Sequence, residues 1–148
     1  MNSAKDLPAL CNCARIRRAS RTITRLYDNC LAPSGLGVNQ FTLLGYLNSR
    51  GPMPMNRLAE LLAMDRATLG HNVRPLERDG LLELTQGKDD RRVRLAQITP
   101  AGHKRLDAAK PFWIAAQRAF EGAIGVEEAA TIRRLMDTVA DQSSALAV

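Results

Sequence analysis

Two adjacent segments, residues 65–80 and 82–98, leave this chain few folds to adopt. The first carries the signals of a complete helix: Asp65 stands where an N-cap carboxylate accepts the free N–H of Thr68, and Gly80 stands where a helix ends in a left-handed residue. Apolar residues recur within this segment at i, i+4 and i+7, as on a helix face turned towards a core: Leu69, Val73 and Leu76. We therefore predict a capped, amphipathic helix here.

The segment LELTQGKDDRRVRLAQI, residues 82–98, predicts a β-hairpin with a strongly charged tip. Two short strand-like runs are joined by a turn, in which Gly87 supplies the backbone freedom of a tight hairpin. The tip and the strand after it concentrate positive charge: Lys88, Arg91, Arg92 and Arg94. Most charge runs are solvated loops, but this one directly follows a capped helix, so we expect both elements to form one surface.

The outer face of the predicted helix is polar and basic. It presents hydroxyl, imidazole, amide and guanidinium groups: Thr68, His71, Asn72, Arg74 and Arg78. Such groups read base edges in the major groove of DNA, while an arginine on a neighbouring loop can enter the minor groove. The two segments together therefore predict a surface for double-stranded DNA.

Composition agrees with an anionic partner and argues against several other classes. The chain has 148 residues, enough for one domain with a real core, and a net charge of +6. Aromatic residues make up only 4%, which argues against a base-stacking platform for single-stranded nucleic acid. No apolar run approaches ~20 residues and the N-terminus lacks a signal-peptide pattern, so we expect a cytoplasmic protein without a membrane partner.

The rest of the chain is expected to be helical. A first helix is predicted over residues 8–31, a second before Gly51, and a short third over residues 56–64. Thr99 and the proline after it begin a long helix, because a hydroxyl N-cap and a proline in the first turn both favour initiation. Gly125 separates this helix from a last one, whose apolar residues are expected to face inward: Ile132, Leu135, Met136 and Val139.

These elements predict a mainly α fold with a small β-hairpin wing, in one domain over residues 1–148. Residues 33–98 are expected to form a winged helix-turn-helix lobe. The flanking helices, 8–31 and 100–146, are long and apolar and have no internal partner large enough to cover them. We therefore expect these N- and C-terminal helices to build an α-helical dimerisation domain between two copies of the chain.

The chain resembles the MarR family of bacterial transcriptional regulators, most specifically in MDRATLGHNVRPLERDGLL and DRRVRLAQITPAG. The family carries an Asp-x-Arg pattern in the wing, seven residues before the threonine that opens the dimerisation helix. Asp90 and Arg92 precede Thr99 in this way. The resemblance implies that Arg92 is a minor-groove arginine and that Asp90 holds it by an ion pair.

The resemblance also implies how such a protein works. Four residues fall on the recognition-helix positions that meet base edges or phosphates in the family: Thr68, His71, Asn72 and Arg74. The family implies an obligate homodimer that binds a pseudo-palindromic operator. Its members are released from DNA by small, often phenolic ligands or by thiol oxidation.

An effector pocket is expected between the first two helices, the long helix after Thr99 and the winged lobe. Its candidate lining joins aromatic and aliphatic side chains to a thiol and an arginine: Cys13, Arg17, Tyr27, Phe41, Leu44, Phe112 and Trp113. An arginine in an apolar cleft pairs bidentately with a carboxylate, so we expect a small aromatic acid or phenol as effector. The alternative is that the aromatic residues are core and the arginines are solvated.

The cysteines leave a thiol-based alternative open, with Cys13 and Cys11 as the redox-sensing candidates. Cys13 and Tyr27 have the fourteen-residue spacing of the peroxidatic cysteine and tyrosine in the organic-hydroperoxide branch of the family. About 21 Å separates them on one helix, so a contact between Tyr27 and Cys13 could form only between the two subunits of a dimer. Arg17 would favour a thiolate, but that branch has a second tyrosine at its place. Buried, inert thiols are the simpler interpretation.

An enzyme is the competing class. The sequence has no Ser/His/Asp order, no phosphate-cradling glycine loop and no cysteine or histidine spacing typical of a metal site. A thiol peroxidase that uses Cys13 is the one enzymatic hypothesis we can frame, and a winged helix that binds partners without reading DNA is a further alternative. We expect no catalysis, no cofactor and no metal.

Overall fold

The computed structural model of the chain describes residues 7–142 and has the mainly α architecture expected from the sequence. Its elements follow one another in the order α1 (Leu7–Leu10), α2 (Asn12–Leu31), a 3-10 turn (Ala32–Ser34), α3 (Val38–Arg50), β1 (Met53–Pro54), α4 (Met55–Leu61), α5 (Arg66–Arg78), β2 (Leu82–Gln86), β3 (Arg94–Ile98), α6 (Pro100–Ile124) and α7 (Val126–Asp141). None of these described helices combines the length and apolar character that crossing a membrane requires. The predicted stretch 143–146 of the last helix lies outside the described residues.

The helices α3, α4 and α5 pack around a common leucine core. Leucines from all three are fully buried: Leu43, Leu44, Leu47, Leu58, Leu69 and Leu76. The predicted inner face of α5 is confirmed, because Val73 is buried as well. The third helix is shorter than its predicted range of 56–64, since it ends at Leu61 and Ala63 adopts a left-handed backbone with φ of 48°.

A three-stranded antiparallel sheet with the order β1-β3-β2 contains the wing. The predicted hairpin is confirmed, since β2 pairs with β3 along its full length. Gly87 does not have the positive φ that the expected role implied. A Cβ at this position would lie 2.8 Å from the carbonyl oxygen of Asp90, so glycine is needed for a close approach of two backbone segments instead.

The start of α6 is held tightly against the turn that follows α5. Thr99 caps α6 as predicted: its Oγ1 accepts the N–H of Gly102 at 3.0 Å and donates to the carbonyl of Gly80 at 2.6 Å. Gly80 has the predicted left-handed backbone, with φ of 71°. A Cβ on Gly102 would overlap the carbonyl oxygen of Leu81 and lie 2.7 Å from Cγ1 of Ile98. The long helix is therefore fixed to the turn at the end of α5.

The helices α2 and α6 run antiparallel along each other. Arg105, near the start of α6, donates to the carbonyl of Ser34 at 3.3 Å, while Gln117, further along, accepts a hydrogen bond from the hydroxyl of Tyr27. Burial, and secondly the charge of Glu121, raise the pKa of Tyr27, so its hydroxyl remains a donor. These contacts fix the C-terminal half of α2 on α6.

The predicted first helix is interrupted in the structure. α1 ends at Leu10, and Cys11 has an extended backbone and caps α2, its sulfur accepting the N–H of Ala14 at 3.4 Å. The prediction of one continuous helix over residues 8–31 is therefore wrong near its start. Every side chain of residues 8–22 is exposed, so this part of the chain extends beyond the chain's own core.

The apolar residues of α7 do not face inward within one chain. Leu135, Met136 and Val139 keep 56%, 40% and 45% of their surfaces exposed, while Ile132 is half-buried. Ala129 is the fully buried residue of this helix. The predicted inward orientation is therefore wrong for a single chain, because α7 turns most of its larger apolar side chains to the outside.

Candidate nucleic-acid interface

The helix α5 turns its polar residues to the outside because its apolar stripe is buried. The five predicted DNA-contacting residues of this helix lie together on that side, and all except the half-buried Asn72 are exposed: Thr68, His71, Asn72, Arg74 and Arg78. Helical periodicity separates this face from the buried Leu69 and Val73. Arg78 also contacts a neighbouring carboxylate, with its Nε 3.2 Å from Asp79.

Hydrogen bonds within α5 set the orientation of two of these residues. The carboxylate of Asp65 accepts the N–H of Thr68 at 2.8 Å and its hydroxyl at 3.0 Å, and these bonds lower the pKa of Asp65. The amide nitrogen of Asn72 donates to the carbonyl of Thr68 at 2.9 Å. The one hydroxyl proton of Thr68 is in use, so Thr68 can meet a base edge as an acceptor, which suits the amino groups of adenine and cytosine. The amide of Asn72 keeps its oxygen and its second N–H for a base edge.

Arg92 and Asp90 lie together at the tip of the wing. Nε of Arg92 is 3.8 Å from Oδ1 of Asp90, and the same oxygen accepts the backbone N–H of Arg92 at 2.9 Å. The Arg92 side chain is 94% exposed, so this surface pair contributes little stability and mainly orients the arginine. The other basic residues predicted for this surface are exposed around it: Lys88, Arg91 and Arg94.

A cleft of about 390 Å³ lies between the wing and the start of α5. Its walls come from α4, α5 and the wing: Met55, Asn56, Arg66, Leu69, Arg92, Val93 and Arg94. Arg66 was not among the predicted site residues. The sequence held one signal for it, because a basic residue in the first turn of a helix is opposed by the helix dipole and so indicates a role other than helix stability.

The helix face, the cleft and the wing form one basic surface. Arginines from both elements line the cleft: Arg66 from α5, and Arg92 and Arg94 from the wing. Arginine and backbone groups placed in this way fix a duplex by its phosphates, and a polar helix face beside them reads base edges. The arrangement suits α5 to a major groove and the wing arginine to an adjacent minor groove.

The residues predicted for an effector pocket divide into two groups. One group packs within or against the core: Phe41, Leu44, Phe112 and Trp113. The rings of Phe41 and Trp113 stack with their centroids 5.9 Å apart and their planes at 16°. The other group belongs to α2: Cys13 and Arg17 lie on its exposed part, and Tyr27 is bound to α6. One chain therefore does not bring all seven residues to one place.

The three cysteines are free thiols in different surroundings. Cys11 and Cys13 are exposed and Cys30 is half-buried, so the interpretation of buried thiols is wrong for the first two in a single chain. Cys13 and Cys30 both belong to α2, which keeps them about 25 Å apart. Within residues 7–142, no three His, Cys, Asp or Glu side chains come together as a metal-binding cluster would need.

Known proteins share both the sequence pattern and the fold. Residues 34–93 match the model of the MarR family. The chain is similar to the uncharacterized HTH-type transcriptional regulator YwoH of Bacillus subtilis, with 27% identity over 93 residues, 63% of this chain and 67% of that protein. It is also similar to the HTH-type transcriptional repressor NicR of Pseudomonas putida, with 29% identity over 96 residues, 65% of this chain and 61% of that protein.

A solved structure with the same fold contains nucleic acid. The M. tuberculosis transcriptional regulator MosR in complex with DNA is 30% identical to this chain, with a TM-score of 0.82. The similarity covers 93% of this chain and 99% of that one, so it includes the flanking helices as well as the winged lobe.

Proposed function

The chain belongs to the MarR family, and we propose that this protein is a sequence-specific DNA-binding transcriptional regulator, a repressor controlled by a small aromatic acid or phenol. The observation that carries the DNA-binding proposal is the basic surface formed by α5, the cleft and the wing. The similarity to MosR, solved with DNA, and to the repressor NicR supports the same assignment. A protein that acts on a bacterial operator works in the cytoplasm.

A homodimer is part of the proposal. Large apolar side chains are exposed both near the N-terminus, at Leu10 and Ile16, and on α7, at Leu135 and Val139. Exposed apolar surface of this kind on terminal helices is typical of an interface between copies of a chain. Two copies related by a two-fold axis would present two α5 helices to a pseudo-palindromic operator.

Competition binding tests whether the protein reads sequence. An operator selected by the wild-type protein from a random duplex pool should bind about 10³-fold or more tightly than random duplex at the same salt concentration. The reason is that base-edge contacts from α5 add to phosphate contacts that any duplex can make. A winged helix that serves only as a protein-binding module would show equal affinities, and that result would reject the proposed function.

Substitution of the wing arginine tests the geometry of the wing. We expect Arg92→Ala to weaken binding to every duplex and to reduce the slope of log K against log salt concentration by about one, because one phosphate-neutralising contact is lost. Asp90→Ala should have a weaker effect of the same kind, since Asp90 orients the arginine. Arg118→Ala, which removes an exposed charge from α6, is the matched control. An unchanged slope in Arg92→Ala would exclude a DNA contact by this side chain.

We propose a ligand rather than an oxidant as the effector signal. The hydroxyl of Tyr27 is already bound to Gln117, which competes with any bond from Tyr27 to Cys13 of the partner subunit. Arg17 is exposed and offers an anion site for a carboxylate. A pocket that holds both Arg17 and the stacked rings of Phe41 and Trp113 would have to form between two copies.

Two variants separate ligand sensing from thiol sensing. If the effector is an aromatic acid, Cys13→Ser should still be released from DNA by the ligand, and Arg17→Ala should need roughly tenfold more ligand because the carboxylate loses a charged partner. If the signal is an oxidant, low peroxide should release the wild type but not Cys13→Ser, and reductant should restore binding. The ligand proposal would be overturned if Cys13→Ser lost the sensitivity to peroxide and the wild type bound no phenolic acid.

A further inference from the structure

Three arginines form a stripe along α2. Arg18, Arg21 and Arg25, which we call the arginine stripe, follow one another at i, i+3 and i+7, and all three are exposed. They extend over about 10 Å of helix. Helical periodicity puts them roughly 150° around the axis from the residues of the apolar side: Ile16, Ala19, Ile23 and Leu26. The stripe and the apolar side therefore face in nearly opposite directions.

The positive charge of the stripe is not neutralised within the chain. Among residues 7–142, none of the three guanidinium groups forms an ion pair with a carboxylate. α2 contains five arginines and one acidic residue, Asp28, whose carboxylate accepts the N–H of Val38 at 2.8 Å. Like charges three and four residues apart oppose helix formation, so the stripe weakens α2 unless an external anion binds it.

The stripe lies far from the surface formed by α5 and the wing. α6 begins beside Leu81, at the end of that lobe, and Gln117 lies about 22 Å further along the helix. Tyr27 contacts Gln117, and because α2 runs antiparallel to α6, Arg21 lies about 9 Å beyond this contact. Roughly 30 Å of helix therefore separates Arg21 from the start of α6. The two basic surfaces are separate.

A groove beside the stripe offers groups suited to phosphate. It has a volume of about 430 Å³ and is lined by Ser20, Arg21, Thr24 and Arg25. Guanidinium groups bind phosphate oxygens bidentately, and hydroxyl groups add neutral donors. The groove lies along one helix and is open to solvent. It therefore fits an extended ligand with a row of phosphates, such as a nucleic-acid backbone, better than a small ligand that needs an enclosed pocket.

We propose that the arginine stripe is a second, sequence-independent binding surface for the phosphate backbone of double-stranded DNA. The choice of DNA as the polyanion rests on the proposed function, because a protein that holds one duplex segment has neighbouring duplex at high local concentration. A second copy of the chain that covers the apolar side of α2 leaves the stripe open on the opposite side. Each dimer then carries two stripes besides its operator-binding face.

The test compares four full-length proteins in titrations of a labelled random-sequence duplex at low salt. These are the wild type, the stripe variant (Arg21→Gln with Arg25→Gln), the wing variant (Arg92→Ala with Arg94→Ala), and a control (Arg118→Gln with Arg134→Gln) that loses two exposed charges elsewhere. We expect two binding phases in the wild type and the control, the first from the surface of α5 and the wing and the second from the arginine stripe. The stripe variant should weaken the second phase by about tenfold or more and reduce its salt slope by about two.

The outcomes separate this proposal from the proposed function. Loss of the first phase in the wing variant, with the second retained, supports two independent surfaces. A second phase unchanged in the stripe variant overturns the arginine stripe as a DNA site, whatever the wing variant does. A first phase unchanged in the wing variant counts against the proposed function alone. If sedimentation shows that the stripe variant no longer dimerises, the stripe is a contact between subunits and the proposal is wrong.

Discussion

We expect the Gly102→Ala substitution to destabilise the protein by about 3 kcal/mol, because the added methyl group has no space and the surrounding backbone must move. A Cβ at this position would overlap the carbonyl oxygen of Leu81. This oxygen is a backbone atom, so it cannot move away by rotation as the end of a flexible side chain can. For a chain of this size such a loss lowers the Tm by roughly 10 °C. Thermal unfolding followed by circular dichroism measures the effect.

Gly122→Ala, in the same helix, is the matched control for this prediction. No atom outside the local helix backbone lies within 4 Å of the Cβ that it would introduce. Since alanine favours a helix over glycine, this variant should be about 0.5–1 kcal/mol more stable than the wild type. If both variants have the same Tm, the close contact between α6 and the turn after α5 does not control stability.

We expect a second large effect from charges placed on the exposed apolar side of α7. Leu135→Glu combined with Val139→Glu should convert a dimer into a monomer at micromolar concentration, because a carboxylate buried in an apolar interface has no partner. These side chains are 56% and 45% exposed within one chain, so the subunit should keep its helix content. Operator affinity should fall about 10²- to 10⁴-fold, since the second half-site no longer binds as part of one molecule.

Arg134→Glu is the control for the dimer prediction, because it also makes α7 more negative by two charges. Arg134 is exposed and lies roughly 150° around the helix axis from the mean direction of the apolar residues, so the charge change is placed away from them. This variant should remain dimeric in sedimentation and keep its operator affinity. A dimeric Leu135→Glu, Val139→Glu protein would mean that α7 is not the interface and would remove the basis for a two-fold operator complex.

Local patterns in the sequence predicted α5 and the wing well. The cap by Asp65, the buried stripe from Leu69 to Leu76 and the left-handed Gly80 all depend on residues a few positions apart, and the structure confirms each one. Thr99 caps α6 for the same reason. In such elements the interacting groups are neighbours in the chain, so spacing alone indicates which groups meet.

Part of the candidate interface was not predictable from spacing. Arg66 joins Arg92 and Arg94 around the cleft because the wing folds back beside the start of α5, across more than twenty intervening residues. The bond from Asn72 to the carbonyl of Thr68 likewise determines which atoms of these side chains remain for a base edge. Periodicity indicates the face of a helix but not the partners of each polar atom.

The sequence by itself determined the winged helix-turn-helix, its caps and the basic face of α5, because these follow from hydrophobic periodicity and from bonds between near neighbours. The tertiary structure decided which apolar residues are covered within one chain, leaving those of α7 exposed, and broke the first helix at Cys11. It also decided the contact of Gly102 with Leu81 and the bond of Tyr27 to Gln117. Segments that are distant in the sequence meet only when the whole chain packs, so the spacing of residues does not predict which of their backbone atoms come into contact.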